Sequence, residues 1–225
     1  MSYPFKRLFL LFILSITLSG VAHAQQNVVA TLLGKPVTER SVSPTEKQLN
    51  ALAKTMNVSR EMAVAQFQQA RLTEIIVDGV LKDYAESKGI EPDAELVARF
   101  VEVFKDSLDT ATPPPEPETE EDKELASAFT PPPKRSVQEI ASEQVKHWQV
   151  EKAMFEEFGG AVVFRSNTPQ YPVGAYNKLL KKYEKEGKLT INAAEFSGVF
   201  WRSFAPPYTA EIDPQYVDFS HPWWY

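Results

Sequence analysis

The chain has 225 residues, 43% of them hydrophobic, and carries 30 Asp and Glu against 24 Lys and Arg, a formal charge of −6. That acidic balance argues against duplex nucleic acid and against electrostatic docking on anionic lipid, both of which need a basic face. There is no cysteine and there are three histidines, which excludes thiol nucleophiles, disulfides and Cys-ligated metals and leaves little for histidine chemistry.

Residues 1–24 read as a secretory signal peptide. Lys6 and Arg7 precede an almost wholly apolar run over residues 8–18, and Ala22-His23-Ala24 then sets small residues at both positions that a signal peptidase reads. As a helix the apolar run reaches roughly 16 Å, about half the ~30 Å of bilayer hydrocarbon, too short for an anchor. Cleavage is expected between Ala24 and Gln25, with the mature chain in the periplasm. It leaves 201 residues and, without Lys6 and Arg7, a charge of about −8. No later run is long and apolar enough to span a membrane, so no integral segment is expected after cleavage. Without disulfides, the mature chain depends on a packed core.

The mature part opens with Val28-Val29-Ala30-Thr31-Leu32-Leu33, Gly34-Lys35-Pro36 and Val37-Thr38-Glu39, two β-prone runs about a Gly/Pro turn that predict a hairpin. Ser43 or Thr45 can cap a helix bearing Leu49, Leu52, Ala53 and Met56, and Ser59 can cap the next. That helix, over about residues 60–88, carries the stripe Leu72, Ile75, Ile76, Gly79, Val80 and Tyr84, with Gly89 as its stop. After a turn at Ile90-Glu91-Pro92-Asp93, Leu96, Val97, Phe100, Val101, Phe104 and Leu108 define another buried face, and the two stripes are expected to pack on each other.

Residues 110–135 change character. Two proline runs flank an acidic stretch with too little apolar surface to offset the cost of ordering it, which predicts a mobile linker of partly polyproline-II character. A ligand for a proline-recognising domain is the alternative reading. Beyond it, Val137, Ile140, Ala141, Val145, Trp148, Phe155 and Phe158 mark a long amphipathic helix that ends at Gly159-Gly160. Val162-Val163-Phe164 reads as a short strand able to extend the hairpin to three strands. Further helices are expected with Tyr176, Leu179, Leu180 and Tyr183 on one face, and over residues 193–204. The fold class is therefore mainly α, a small N-terminal hairpin with five to six helices. In domain terms the parts are a helical arm with its hairpin over 25–109, the linker over 110–135, and a segment over 136–225 that completes the same domain.

Strong catalytic motifs are absent: no nucleophile elbow, zinc-protease helix, phosphate-binding loop or dinucleotide fingerprint. Glu156-Glu157 and Glu120-Glu121-Asp122 are the densest carboxylates, but sequence neighbours on a helix do not face one another across a cleft. They read as a solvated helix face and a charged linker. His147, beside Trp148, reads as a boundary residue. The aromatic tail His221-Pro222-Trp223-Trp224-Tyr225 has two readings, a plug folded back onto an apolar groove or an exposed contact for a partner. No catalytic residue, metal ligand or cofactor site is assigned.

Residues 28–108 resemble the N-terminal domain of SurA-type periplasmic chaperones, a group that includes exported parvulin-like prolyl isomerases. The likeness lies in Val29-Ala30-Thr31-Leu32-Leu33-Gly34-Lys35-Pro36-Val37-Thr38-Glu39, in Leu72-Thr73-Glu74-Ile75-Ile76, in Val80-Leu81 with Tyr84-Ala85, and in Lys88-Gly89-Ile90 followed by the helix holding Leu96 and Phe100. The glycine-rich, histidine-containing isomerase module of that family has no counterpart here. The resemblance implies a small sheet with a helical arm that offers apolar surface to unfolded outer-membrane proteins, and a later helix returning to complete the domain. On it, Leu72, Ile76, Phe100, Phe104, Trp148 and Phe155 are candidates for a peptide-binding face or for the core, with Leu72, Ile76, Phe100 and Phe104 sharing one interior with Trp148 or Phe155. The leading expectation is a chaperone-like protein, related to outer-membrane biogenesis and protein folding, that binds unfolded or extended polypeptide without isomerase activity. The alternatives are a cell-envelope enzyme, either a remote prolyl isomerase or a carboxylate-based hydrolase, and a structural partner in an envelope assembly.

Overall fold

Strong local signals set the first elements of the computed structural model, which describes residues 27–109, 119–129, 133, 135–166, 168–192 and 194–225. The expected signal peptide and its cleavage point at Ala24 and Gln25 lie outside the described residues. Strands β1 (Val28–Leu32) and β2 (Lys35–Thr38) pair antiparallel about Leu33-Gly34, both at positive φ, 52° and 76°. That two-residue turn follows the right-handed twist of the strands, and Gly34 adopts it without a Cβ penalty. Pro36 falls on an edge strand, where its missing N–H breaks no ladder.

Eight α-helices follow among the described residues: α1 (Glu39–Val42), α2 (Glu46–Met56), α3 (Arg60–Lys88), α4 (Ala94–Asp109), α5 (Glu120–Ala128), α6 (Val137–Phe158), α7 (Val173–Lys185) and α8 (Ala194–Arg202). Thr38, Thr45, Thr119 and Ser136 each close a reciprocal capping box, and the Ser59 hydroxyl accepts from the Met62 N–H. Asp93 starts α4 by accepting from the N–H groups of Glu95 and Leu96, each at 2.9 Å. A third strand, β3 (Leu189–Ile191), follows α7 and pairs antiparallel with β1, giving the order β2-β1-β3. The molecule is thus mainly helical with a small antiparallel sheet built on its N-terminal hairpin.

Two apolar clusters hold these elements. In the first, Leu72, Ile76 and Val80 of α3 meet Val29, Ala30 and Leu32 of β1, Val150 and Met154 of α6, Leu179 and Leu180 of α7, and Phe196 and Phe200 of α8. Residues on both sides of 110–135 therefore share this interior. In the second, Val97 and Phe100 of α4 meet Ala141, Val145 and Trp148 of α6, together with Trp224. Helix α6 belongs to both. Where α7 begins, two backbones touch: a Cβ on Gly174 would lie 2.5 Å from the Ala161 nitrogen and 2.8 Å from the Gly160 Cα.

Four expectations need correction. The third strand is β3, not Val162-Val163-Phe164: Val163 forms only isolated bridges to Tyr171 and Glu211, while the free edge of β1 is occupied by β3. Helix α4 packs along α6 rather than back on the stripe of α3, which is already covered by the sheet, α6, α7 and α8. Leu72 and Ile76 consequently do not share an interior with Phe100, Phe104 and Trp148. Within the expected linker, α5 is helical because Thr119 and Asp122 cap its first turn, and it rests on α2, where the Lys47 ammonium donates to the Ser127 carbonyl at 2.8 Å. Residues 110–118, 130–132 and 134 of that segment lie outside the described residues.

Candidate functional site

The second cluster opens to the surface as an aromatic cleft between α4 and α6. Helical spacing brings Phe100 and Phe104 over one another, ring centroids 4.6 Å apart, and turns Trp148 toward them from α6. The segment His221–Tyr225 lies in this cleft. Trp224 inserts edge-on between the two walls, 5.2 Å from the Phe100 ring and 6.1 Å from the Trp148 ring, and is only 6% exposed. Trp223 touches Phe104 at 5.8 Å but stays 47% exposed, and Tyr225 is 67% exposed and stacked on His221. Edge-to-face packing of this kind adds to the burial of each ring. Beside the segment the cleft continues as an open hollow of about 620 Å³, lined by Ile90, Leu96, Trp148 and Ala153 and by the charged residues Glu91, Asp93, Glu95, Arg99, Lys152 and Glu156.

A second depression, of about 650 Å³, separates α3 from α8. Its apolar wall is made by Met62, Ala65, Ala70, Phe196 and Val199, and Gln66, Gln69 and Thr73 supply amide and hydroxyl groups. Met62 and Val199 are 51% and 42% exposed, so this surface meets solvent. The buried side-chain oxygen of Gln69 has no hydrogen-bond partner among the described residues.

Between the clusters sits a polar network. Glu151, with 2% of its side chain exposed, accepts from the Tyr176 hydroxyl at 3.0 Å and lies 3.3 Å from His147 Nε2, one turn back on α6. Burial, reinforced by this carboxylate, pushes the Tyr176 hydroxyl well above its ordinary range. The hydrogen bond to Glu151 raises His147 above its usual value, burial opposes the rise, and Asp78 of α3 adds to it. Tyr171 stacks on Tyr176 at 4.5 Å and carries the Arg165 guanidinium 3.5 Å above its other face. The arrangement ties α6 to α7. A nucleophile held against the histidine is not part of it.

The sequence candidates divide accordingly. Leu72 and Ile76 are fully buried and belong to the core. Phe100, Phe104 and Trp148 line the aromatic cleft, whereas Phe155 faces elsewhere and stacks on Phe219 at 4.7 Å. Of the carboxylates, Glu157 accepts from the Tyr84 hydroxyl at 2.9 Å and pairs with Lys88 at 2.8 Å, and both partners lower its pKa, Lys88 foremost. Glu156 pairs loosely with Lys152, Glu120 pairs with Lys123, and Asp122 caps α5. Glu157, Glu120 and Asp122 occupy separate surface positions, while Glu156 lines the hollow beside Trp148 together with Glu91, Asp93 and Glu95. Sequence reading missed Glu151, although its place beside Trp148 on the apolar face of α6 is a signal: a carboxylate on a buried stripe requires a partner. No helix among the described residues is long and apolar enough to cross a membrane. No family model, curated protein or solved structure matches this chain.

Proposed function

We propose that this chain is an exported, chaperone-like protein that holds unfolded or extended polypeptide by apolar contact and does not catalyse prolyl isomerisation. The observation that carries the reading is the cleft between α4 and α6, an aromatic surface that accommodates the aromatic turn His221–Tyr225 with open space beside it. The depression between α3 and α8 adds further apolar surface. Export rests on residues 1–24, and the likeness of residues 28–108 to SurA-type chaperones supports the same class. Apolar contact without chemistry suffices for such a role, since micromolar holding corresponds to about −8 kcal/mol.

The test is dilution of a urea-unfolded outer-membrane β-barrel protein into buffer containing the mature protein, with aggregation followed by light scattering. Several-fold molar excess should slow aggregation. A prolyl-peptide assay run in parallel should stay at the uncatalysed rate, which takes tens to hundreds of seconds and would reveal even modest catalysis. Unchanged aggregation, or measurable isomerase turnover, refutes the proposal.

A further inference from the structure

We propose that His221–Tyr225 is a displaceable plug: it fills the α4/α6 cleft in the resting protein, and an unfolded polypeptide gains that cleft by expelling it. This rests on the polypeptide-holding reading above and assigns its regulation.

Anchoring changes abruptly along this part of the chain. Up to Ser220 the backbone is pinned. Ile212 N–H donates to the Val162 carbonyl at 2.8 Å, and the Gln170 amide brackets Asp218 by donating to its carbonyl at 2.8 Å and accepting from its N–H at 2.7 Å. Phe219 is buried against Phe155. From His221 onward, the hydrogen bond found among the described residues is internal, Tyr225 N–H to the Pro222 carbonyl at 3.0 Å. Residues 221–225 therefore sit on the body by apolar contact, with Pro222 and Trp224 buried, rather than by hydrogen bonds. Such contact is non-directional and exchangeable for another apolar side chain of similar size.

Trp224 itself fits its seat incompletely. It is more than nine-tenths buried, yet its indole N–H is buried with no acceptor among the described residues. A buried donor left unpaired weakens a contact by roughly tenfold. Phe100, Trp148, Val97 and Val145 around it present apolar surface, so an incoming side chain without a donor escapes that penalty. Of its neighbours, Pro222 is buried with it, Trp223 is about half in solvent and Tyr225 is 67% exposed. The open hollow along the segment, bounded on one side by His221, Pro222 and Tyr225 themselves, lets a second chain engage the cleft before the plug leaves.

A site open for only a fraction of the time binds with its affinity reduced by that fraction. Loosening the plug should therefore tighten polypeptide binding. The experiment uses the full mature chain labelled with 5-fluorotryptophan, whose four tryptophans give four fluorine resonances, with Trp224 assigned through Trp224→Phe. The probe is reduced, carboxymethylated α-lactalbumin, which is permanently unfolded. On titration the Trp224 resonance should move to the position of a solvent-exposed indole while Trp201 stays in place. Trp224→Ser should bind the probe about tenfold more tightly than the unsubstituted protein. If that variant does not fold, the Trp224 resonance of the unsubstituted chain decides alone. Equal affinity for both proteins with an unmoved Trp224 resonance would overturn the plug and leave the holding function intact. Absence of binding to either protein would overturn both.

Discussion

Replacing Trp148 by alanine asks whether the two apolar clusters can open separately. Trp148 is 8% exposed, meets Trp224 at 6.1 Å and has the Lys152 ammonium 5.4 Å from its ring centroid. Truncating a buried Trp costs about 3–5 kcal/mol, because the transfer energy of the ring is lost and a cavity remains. That is a large share of the ~5–15 kcal/mol that holds a typical domain together. The same helix supplies an internal control: Met154 is fully buried in the other cluster, and Met154→Ala costs about 2–5 kcal/mol. Native-state hydrogen exchange distinguishes the two. Trp148→Ala should speed exchange in α4 by about 10²–10³-fold while α3 stays near its original rate. Met154→Ala should speed exchange in α3, α6 and α7 together. If Trp148→Ala accelerates α3 and α4 equally, the clusters form one cooperative unit and the reasoning is wrong.

Three further outcomes are expected. Gly174→Ala should lose about 1–3 kcal/mol, a drop in Tm of roughly 2–12 °C by calorimetry, because its Cβ would press on the Ala161 and Gly160 backbone; an unchanged Tm would mean the crossing relaxes freely. His147 has a folded pKa above its unfolded value near 6.5, so its stabilisation is full below that value and fades as pH rises through the folded pKa. Urea midpoints should accordingly fall as pH rises above the unfolded value near 6.5, and His147→Gln should flatten that part of the profile; a slope that survives the substitution belongs to another group. Finally, intact-mass measurement of protein recovered from the periplasm should begin at Gln25, and a species that retains residues 1–24 would refute cleavage after Ala24.

Legibility in the sequence followed the range of the interaction. The hairpin, the Ser59 cap, the α2 cap narrowed to Ser43 or Thr45, and the Gly89 stop were readable because each is decided within a few residues. The mainly helical class was readable for the same reason. The partner of β1 was not, since Thr31 pairs with Thr190 and nothing in local periodicity selects Leu189–Ile191 over Val162-Val163-Phe164. Nor was the choice of α6 as the partner of α4, because an apolar stripe states that it will be covered without stating by what. Helix α5 was hidden by its composition: one capping box and the half-buried Leu125 suffice once α2 lies beneath it. At the cleft, Phe100, Phe104 and Trp148 were named, but the occupant was not decided between plug and exposed contact. The insertion of Trp224 and the burial of Glu151 depend on tertiary packing that no window of sequence contains.

The pairing of β1 with β3 also has a consequence for biogenesis. The chain emerges with β1 first and β3 about 160 residues later, so the hairpin waits with one edge bare until that part follows. Edges of that kind invite pairing with other chains, and contacts so distant in sequence form slowly. The earliest structure of this protein is therefore sealed late, by β3. During that interval Val29, Ala30 and Leu32, destined for the interior, are themselves the kind of unfolded apolar surface that other proteins must shelter.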